Sequence, residues 1–176
     1  MPGTRLTSTG DAEGWLVRPA APRDLPAINA VSRAAGRPEW DPTAVAPASD
    51  RCAVVALATG VLVGAAKTHR YPLADGDAPA GHYLGGIVVH PDARRRGAGR
   101  ALTAARLAWI WELADVAYYI ANARNAASIA LHAGFGFSPI AAGPQFHGVT
   151  FDGGRGLVLA ARRTDSARQR GSALET

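Results

Sequence analysis

Lysine is nearly absent from this chain of 176 residues, and cysteine and methionine occur once each. A lone cysteine, Cys52, excludes an internal disulfide framework. It lies in the apolar run Cys52-Ala53-Val54-Val55-Ala56-Leu57, where a free thiol ordinarily serves as a small core residue. A role as covalent nucleophile would need an activating base, and none stands near it in sequence. No apolar segment approaches the length of a membrane span. The start of the chain is polar and lacks the apolar stretch of a secretory signal. A soluble cytoplasmic protein with no membrane partner is therefore expected. The chain also lacks the basic stripe interleaved with aromatics that marks an RNA-binding surface. Nucleic acid is thus not the expected partner, although the formal net charge is +5 and the pI near 10.1.

What is present is ordinary globular material. A hydrophobic fraction of 48% and this length suit one domain with a proper core. No internal repeat or domain boundary shows. We expect a loose leader over 1–13, a single domain over 14–163 and a polar, disordered tail over 164–176. Periodicity and breakers predict strands over 15–18, 51–58, 61–71, 83–89, 116–121, 137–141 and 156–162, and helices over 23–35, 97–114 and 128–133. Thr59-Gly60 reads as a tight turn, and 36–50 and 72–80 read mainly as loops. An α/β fold follows.

The excess positive charge is concentrated in two places. One is the tail, with Arg162, Arg163, Arg168 and Arg170, read as a solvated segment. The other follows the apolar strand Ile87-Val88-Val89: Pro91 ends the strand, then come Arg94, Arg95, Arg96, Gly97, Gly99 and Arg100, and a helical pattern begins. A strand, a basic glycine-rich turn and a helix N-terminus together suit a phosphate, because the first turn of a helix leaves N–H groups unpaired and glycine lets an anion approach them. No Gly-Lys-Ser/Thr follows, so this is not a P-loop, and the third glycine of a dinucleotide-binding fingerprint is missing. A solvated arginine face is the plainer alternative.

Val89-x-Pro91-x-x-Arg94-x-x-Gly97-x-Gly99 resembles the acetyl-CoA-binding motif of the GCN5-related N-acetyltransferases. Asn125-x-x-Ser128-x-x-Leu131-His132-x-x-x-Gly136-Phe137 resembles the same family's second block, with His132 where tyrosine is most common. The resemblance runs over about 15–162. It implies a mixed, mostly antiparallel sheet of about seven strands, splayed between the fourth and fifth and flanked by helices. It implies acetyl-CoA as cosubstrate and no metal. Ile87, Val88 and Val89 would bond the pantetheine arm as an added strand would. Arg94, Arg95, Arg96, Gly97, Ala98, Gly99 and Arg100 would hold the pyrophosphate. Asn125, Ser128 and His132 would complete the cofactor set. A backbone N–H near Val89 would polarise the thioester carbonyl.

For catalysis, His132 is the candidate proton donor to the CoA sulfur, with surface packing as the alternative. The glutamate that many relatives carry on the fourth strand is missing. His82 and Tyr83 are candidates at the acceptor mouth, or else a strand-edge pair. Gly85-Gly86 inside a strand suggests a bulge or close ligand approach. Acceptor-binding candidates are Glu39, Trp40 and Asp41 after the first helix, and Phe146, His147 and Asp152 in the link between the last two strands. These acids and aromatic faces suit an amine. The expected activity is transfer of acetyl to a primary amine of a small molecule, with an aminoglycoside-type antibiotic as leading candidate. Alternatives are acetylation of a protein N-terminus or lysine, and a CoA-binding regulatory module without chemistry. A homodimer is compatible with the resemblance.

Overall fold

The computed structural model describes residues 14–164; the expected leader and nearly all of the expected tail lie outside them. The elements are β1 (Leu16–Pro19), α1 (Leu25–Ala34), β2 (Ala53–Ala58), β3 (Val61–Tyr71), β4 (Gly81–Val89), α2 (Ala98–Trp111), β5 (Val116–Asn122), α3 (Ala126–Ala133), β6 (Ser138–Gly143), β7 (Gln145–Phe146), β8 (Val149–Thr150) and β9 (Gly156–Arg162). Seven strands form one sheet in the order β1-β2-β3-β4-β5-β9-β6, and β7 and β8 form a separate two-stranded ribbon. β1–β2, β2–β3, β5–β9 and β6–β9 are antiparallel. β4 runs parallel to β5, registered only over His82–Leu84 against Ala117–Tyr119 in strands of nine and seven residues. This short ladder is the splay expected between the fourth and fifth strands.

The chain divides into two compact units. The first holds residues up to Thr68 together with Gly86–Trp109; the second holds His69–Gly85 and the residues from Ile110 on. In the first unit, strand alternation sorts side chains to two faces. Val55, Ala65 and Val88 point to α1 and meet Ile28, Val31 and Val45. Val54, Ala56 and Ala66 point the other way and meet Leu102 of α2. Gly64 is needed at this second contact, since a Cβ there would lie 3.1 Å from the Leu102 Cδ1 and 3.0 Å from the Val88 carbonyl. In the second unit, Tyr83, Ala78, Phe146 and Val158 form one core, and the odd-numbered face of β5 places Tyr119 against α3.

Local chemistry explains most boundaries. The β2–β3 hairpin turns on Thr59 (φ 47) and Gly60 (φ 84), a pair of positive φ values that matches the twist of the flanking strands. Chain entry to α1 is fixed by Asp24, which accepts from the Ala21 N–H at 2.8 Å and holds Arg18 through two bonds of 2.7 and 2.9 Å. Those partners, the Arg18 guanidinium foremost, lower the Asp24 carboxyl to about 2.

Three expectations change. The segment 36–50 contains a short 3-10 turn over Pro42–Val45, started by Asp41, whose side chain accepts from Thr43 N–H. The second long helix stops at Trp111, where Leu113 and Ala114 N–H groups both fold back to the Ile110 carbonyl. The link between the last two strands is not bare loop: β7 and β8 pair across His147 (φ 49) and Gly148 (φ 76).

One buried cation ties α2 to β3. Arg106, with no exposed surface, donates to the carbonyls of Leu102 and Lys67 at 3.3 and 3.2 Å and to the Thr103 hydroxyl at 3.1 Å. Arg106→Ala should lower stability by about 3 kcal/mol, through the cavity and the orphaned Lys67 carbonyl, read as a fall in the urea midpoint. Asp24→Asn should cost about 2 kcal/mol at neutral pH. The folded carboxyl titrates at about 2, below its ordinary 3.8, so the contribution is complete above 3.8 and disappears as pH falls toward 2. Urea melts across that window should show the wild type converging on the variant.

Candidate active site

The basic turn bends sharply into the start of α2. After β4, Pro91–Ala93 make one 3-10 turn and Arg94 is extended. Arg95 then takes a left-handed φ of 56 and Gly97 a φ of 91, which bends the backbone into the N-terminus of α2. Successive N–H groups in such a bend line a concavity suited to phosphate, and the helix adds its partial positive charge. Arg94, Arg95, Arg96 and Gly97 are exposed, whereas Ala98 is buried as the helix anchor. The arginines differ in employment. Arg94 Nε donates to the Val89 carbonyl at 3.3 Å. Arg96 lies over the Trp15 ring, 6.0 Å from its centroid, and its carbonyl accepts from the Trp15 indole at 2.7 Å. Trp15 was read from sequence only as strand material; its partner 81 residues away gave no local signal.

β4 carries a usable edge at its end. The His90 N–H donates to the Val63 carbonyl, and the Val88 carbonyl lies against Gly64, so both residues face β3. Alternation turns the backbone groups of Ile87 and Val89 the other way. The backbone groups of Ile87 and Val89 therefore face away from β3, and the Val88 backbone belongs to the sheet.

In the second unit, the second block stabilises its own helix. Asn125 caps α3, its side-chain oxygen accepting from Ser128 N–H at 3.2 Å. The Ser128 hydroxyl shares a short hydrogen bond with the Tyr119 hydroxyl. His132 is 1% exposed, stacks on Tyr119 at 4.0 Å between centroids, and donates from Nδ1 to the Ser128 carbonyl at 2.8 Å. Tyr119, which the sequence did not single out, is thus the platform on which this block rests.

The acceptor candidates separate by role. Tyr83 is 1% exposed; its hydroxyl donates to the Pro79 carbonyl at 2.6 Å, and burial pushes its pKa up. His82 is buried beside it in the β4–β5 ladder. Phe146 is a core side chain with Tyr83 and Val158, and Asp152 is exposed, its carbonyl taking the Asn122 amide. His147 stacks on Tyr71 at 3.8 Å and 1° between planes, its Nε2 lies 3.3 Å from the Tyr83 hydroxyl, and its backbone N–H donates to Asp75 at 2.6 Å. In the first unit, Glu39 pairs with Arg33 at 2.6 Å and Asp41 is spent on Thr43. Trp40 is held by two bonds from its backbone to the Asn29 amide, 2.8 and 3.2 Å, and its ring lies under the Lys67 ammonium, 5.0 Å from Nζ to centroid. Cys52 is no nucleophile: burial pushes its thiol up to about 11. No group of three or more metal-ligating side chains occurs among the described residues, and no helix among them is long and apolar enough to cross a membrane.

A family model described as the acetyltransferase (GNAT) family matches residues 23–137. No curated protein matches the chain. Among solved structures, a GCN5-related N-acetyltransferase from Kribbella flavida is 25% identical with a TM-score of 0.65, over 85% of this chain and 98% of its own. The ribosomal-protein-alanine N-acetyltransferase of Brucella melitensis is 25% identical with a TM-score of 0.64, over 84% and 99%. NAA60 of Arabidopsis thaliana, solved in complex with acetyl-CoA, shares 17% identity and a TM-score of 0.64 over 84% and 98%. The donor set of the turn fits a CoA pyrophosphate, and the bound group supplies an acetyl thioester. Gly97→Ala should weaken acetyl-CoA binding about tenfold in calorimetry, since a side chain at φ 91 strains the backbone of the turn. With both sequence blocks, the mixed sheet and the family match in agreement, this chain belongs to the GNAT family and is an acetyl-CoA-dependent acetyltransferase.

Proposed function

We propose that the chain transfers acetyl from acetyl-CoA directly to a primary amine of a small molecule. The observation that carries this reading is the pinned hairpin of β7 and β8. Its His147 is stacked on Tyr71 and bonded to Asp75, so the hairpin is held down on the 72–80 loop. Such a hairpin suits a compact acceptor better than a peptide that needs it to lie back. A polycationic aminoglycoside, and with it a role in antibiotic resistance, draws less support. Of the acids that would hold it, Glu39 is paired with Arg33 and Asp41 caps a turn. A second reading, acetylation of a protein N-terminus, is favoured by the 25% identity to the Brucella enzyme.

In this proposal the turn from Arg94 to Arg100 binds the pyrophosphate, and Ile87 and Val89 bond the pantetheine arm. Asn125, Ser128 and His132 serve by shaping α3. For His132, the single proton of a neutral imidazole is held on Nδ1 by the Ser128 carbonyl. Donation from Nε2 would require the doubly protonated ring. His132→Phe should therefore lower kcat by far less than the roughly hundredfold loss expected for a general acid, with the pH profile unchanged. A thiol-release screen across aminoglycosides, polyamines, amino acids and peptides with free N-termini tests the acceptor. Turnover of small amines is expected; turnover of peptides alone overturns the small-molecule reading.

A further inference from the structure

The chain contains a single lysine, Lys67, in a sequence whose other basic side chains are all arginine or histidine. It sits on β3, paired with Ala53 of β2, and its carbonyl is held by Arg106. Its side chain crosses the α1 face of the sheet toward β4. There Gly86 leaves the backbone exposed inside a strand, and a Cβ at that position would meet the Lys67 Cε at 3.7 Å. The third side of this notch is the Trp40 indole, fixed by Asn29 and packed on its other contacts against the Ile28 and Val31 core. No carboxylate lies within 4.0 Å of Nζ among the described residues.

The notch lies where a reacting amine is needed. The pantetheine arm, two amides and a cysteamine long, spans about four extended residues at roughly 3.3 Å each. Laid along β4 from the phosphate turn, it ends near Gly86. The usual carboxylate base is missing from this strand, and an arginine could not replace it, because a guanidinium does not give up its proton. An amine on a flexible stem can.

We propose that Lys67 is the general base: its uncharged Nζ takes a proton from the ammonium group of the acceptor. This rests on the acetyl-transfer reading above. The freed amine forms the N–C bond to the acetyl carbonyl, the C–S bond breaks, and the sulfur leaves with the second proton of the nitrogen. Lys67 returns the first proton to solvent, so one acetylated amine, one CoA thiol and one proton are produced. The groups around Lys67 suit this. Burial lowers its pKa. Asp41, turned to Thr43, and the Trp40 face oppose that shift without a direct ion pair, while Arg33 and Glu39 neutralise each other and Arg106 reaches Lys67 through its carbonyl. Activity should accordingly rise with pH through the lowered Lys67 titration.

Lys67→Arg separates this from a purely structural role, because it keeps the charge and the contact with Trp40 but removes the base. Both Lys67→Arg and Lys67→Met should lose about a hundredfold or more in kcat with acetyl-CoA affinity unchanged, and Lys67→His should retain activity on a profile moved to lower pH. An arginine variant at wild-type rate overturns the proposal. A second measurement needs no turnover: reductive 13C-methylation of the wild-type protein labels one lysine, and its NMR titration should fall below the ordinary value of about 10.4. An unshifted titration overturns the proposal even if the variants fail to fold. If peptides alone are acetylated, the small-molecule reading fails and the same variant comparison is made with a peptide. If no amine is turned over, the titration decides.

Discussion

The first unit is organised by a buried guanidinium. Arg106 cannot reach water, so its donors must be met by protein, and they are met by a helix carbonyl, a helix hydroxyl and a carbonyl of β3. A buried polar group left unmatched costs more than a matched one contributes, so the arrangement has little freedom to slide. Two consequences run from it. The N-terminus of α2, about two turns earlier, is fixed against the sheet. Lys67 is fixed through its own carbonyl, so its side chain leaves the sheet from a known place.

Legibility in the sequence followed the distance between partners. The β2–β3 hairpin was readable at its turn and along β3, because Thr59 and Gly60 supply the turn and the apolar runs on either side supply the strands; only the start of β2 moved, from 51 to Ala53. The turn from Arg94 to Gly99 was readable for the same reason: strand, glycine and helix signals adjoin. The contacts that give these elements their settings were not readable. Trp15 meets Arg96, His147 meets Tyr71 and Tyr83, and Lys67 meets Trp40 only after the chain has folded. Composition offered one hint, the scarcity of lysine, but nothing in the spacing said where its one occurrence would point. Tyr119 was hidden differently. Within an apolar strand its face is set by register, and only the pairing of β5 with β9 assigns it to α3.

The acceptor side shows how an inventory of residue types can mislead. Acids and aromatics near 39–41 and 145–154 suit a cation on paper. In the fold, Glu39 and Asp41 complete local structure, Phe146 is core, and Tyr83 holds a loop through its hydroxyl. The notch on β4 is smaller: an exposed glycine backbone beside a half-buried amine that lies on an indole face. A polar residue near a site serves either the fold or the ligand, and its partners decide which.

The indole of Trp15 gives the basic turn an unexpected dependence. Arg96 belongs to the loop, yet its carbonyl and its guanidinium are both engaged by a residue that immediately precedes the first strand. The outermost strand of the sheet is usually where a chain tolerates trimming or fusion. Here that edge also braces the turn from Arg94 to Gly99, so altering the approach to β1 disturbs a loop 81 residues away in the chain.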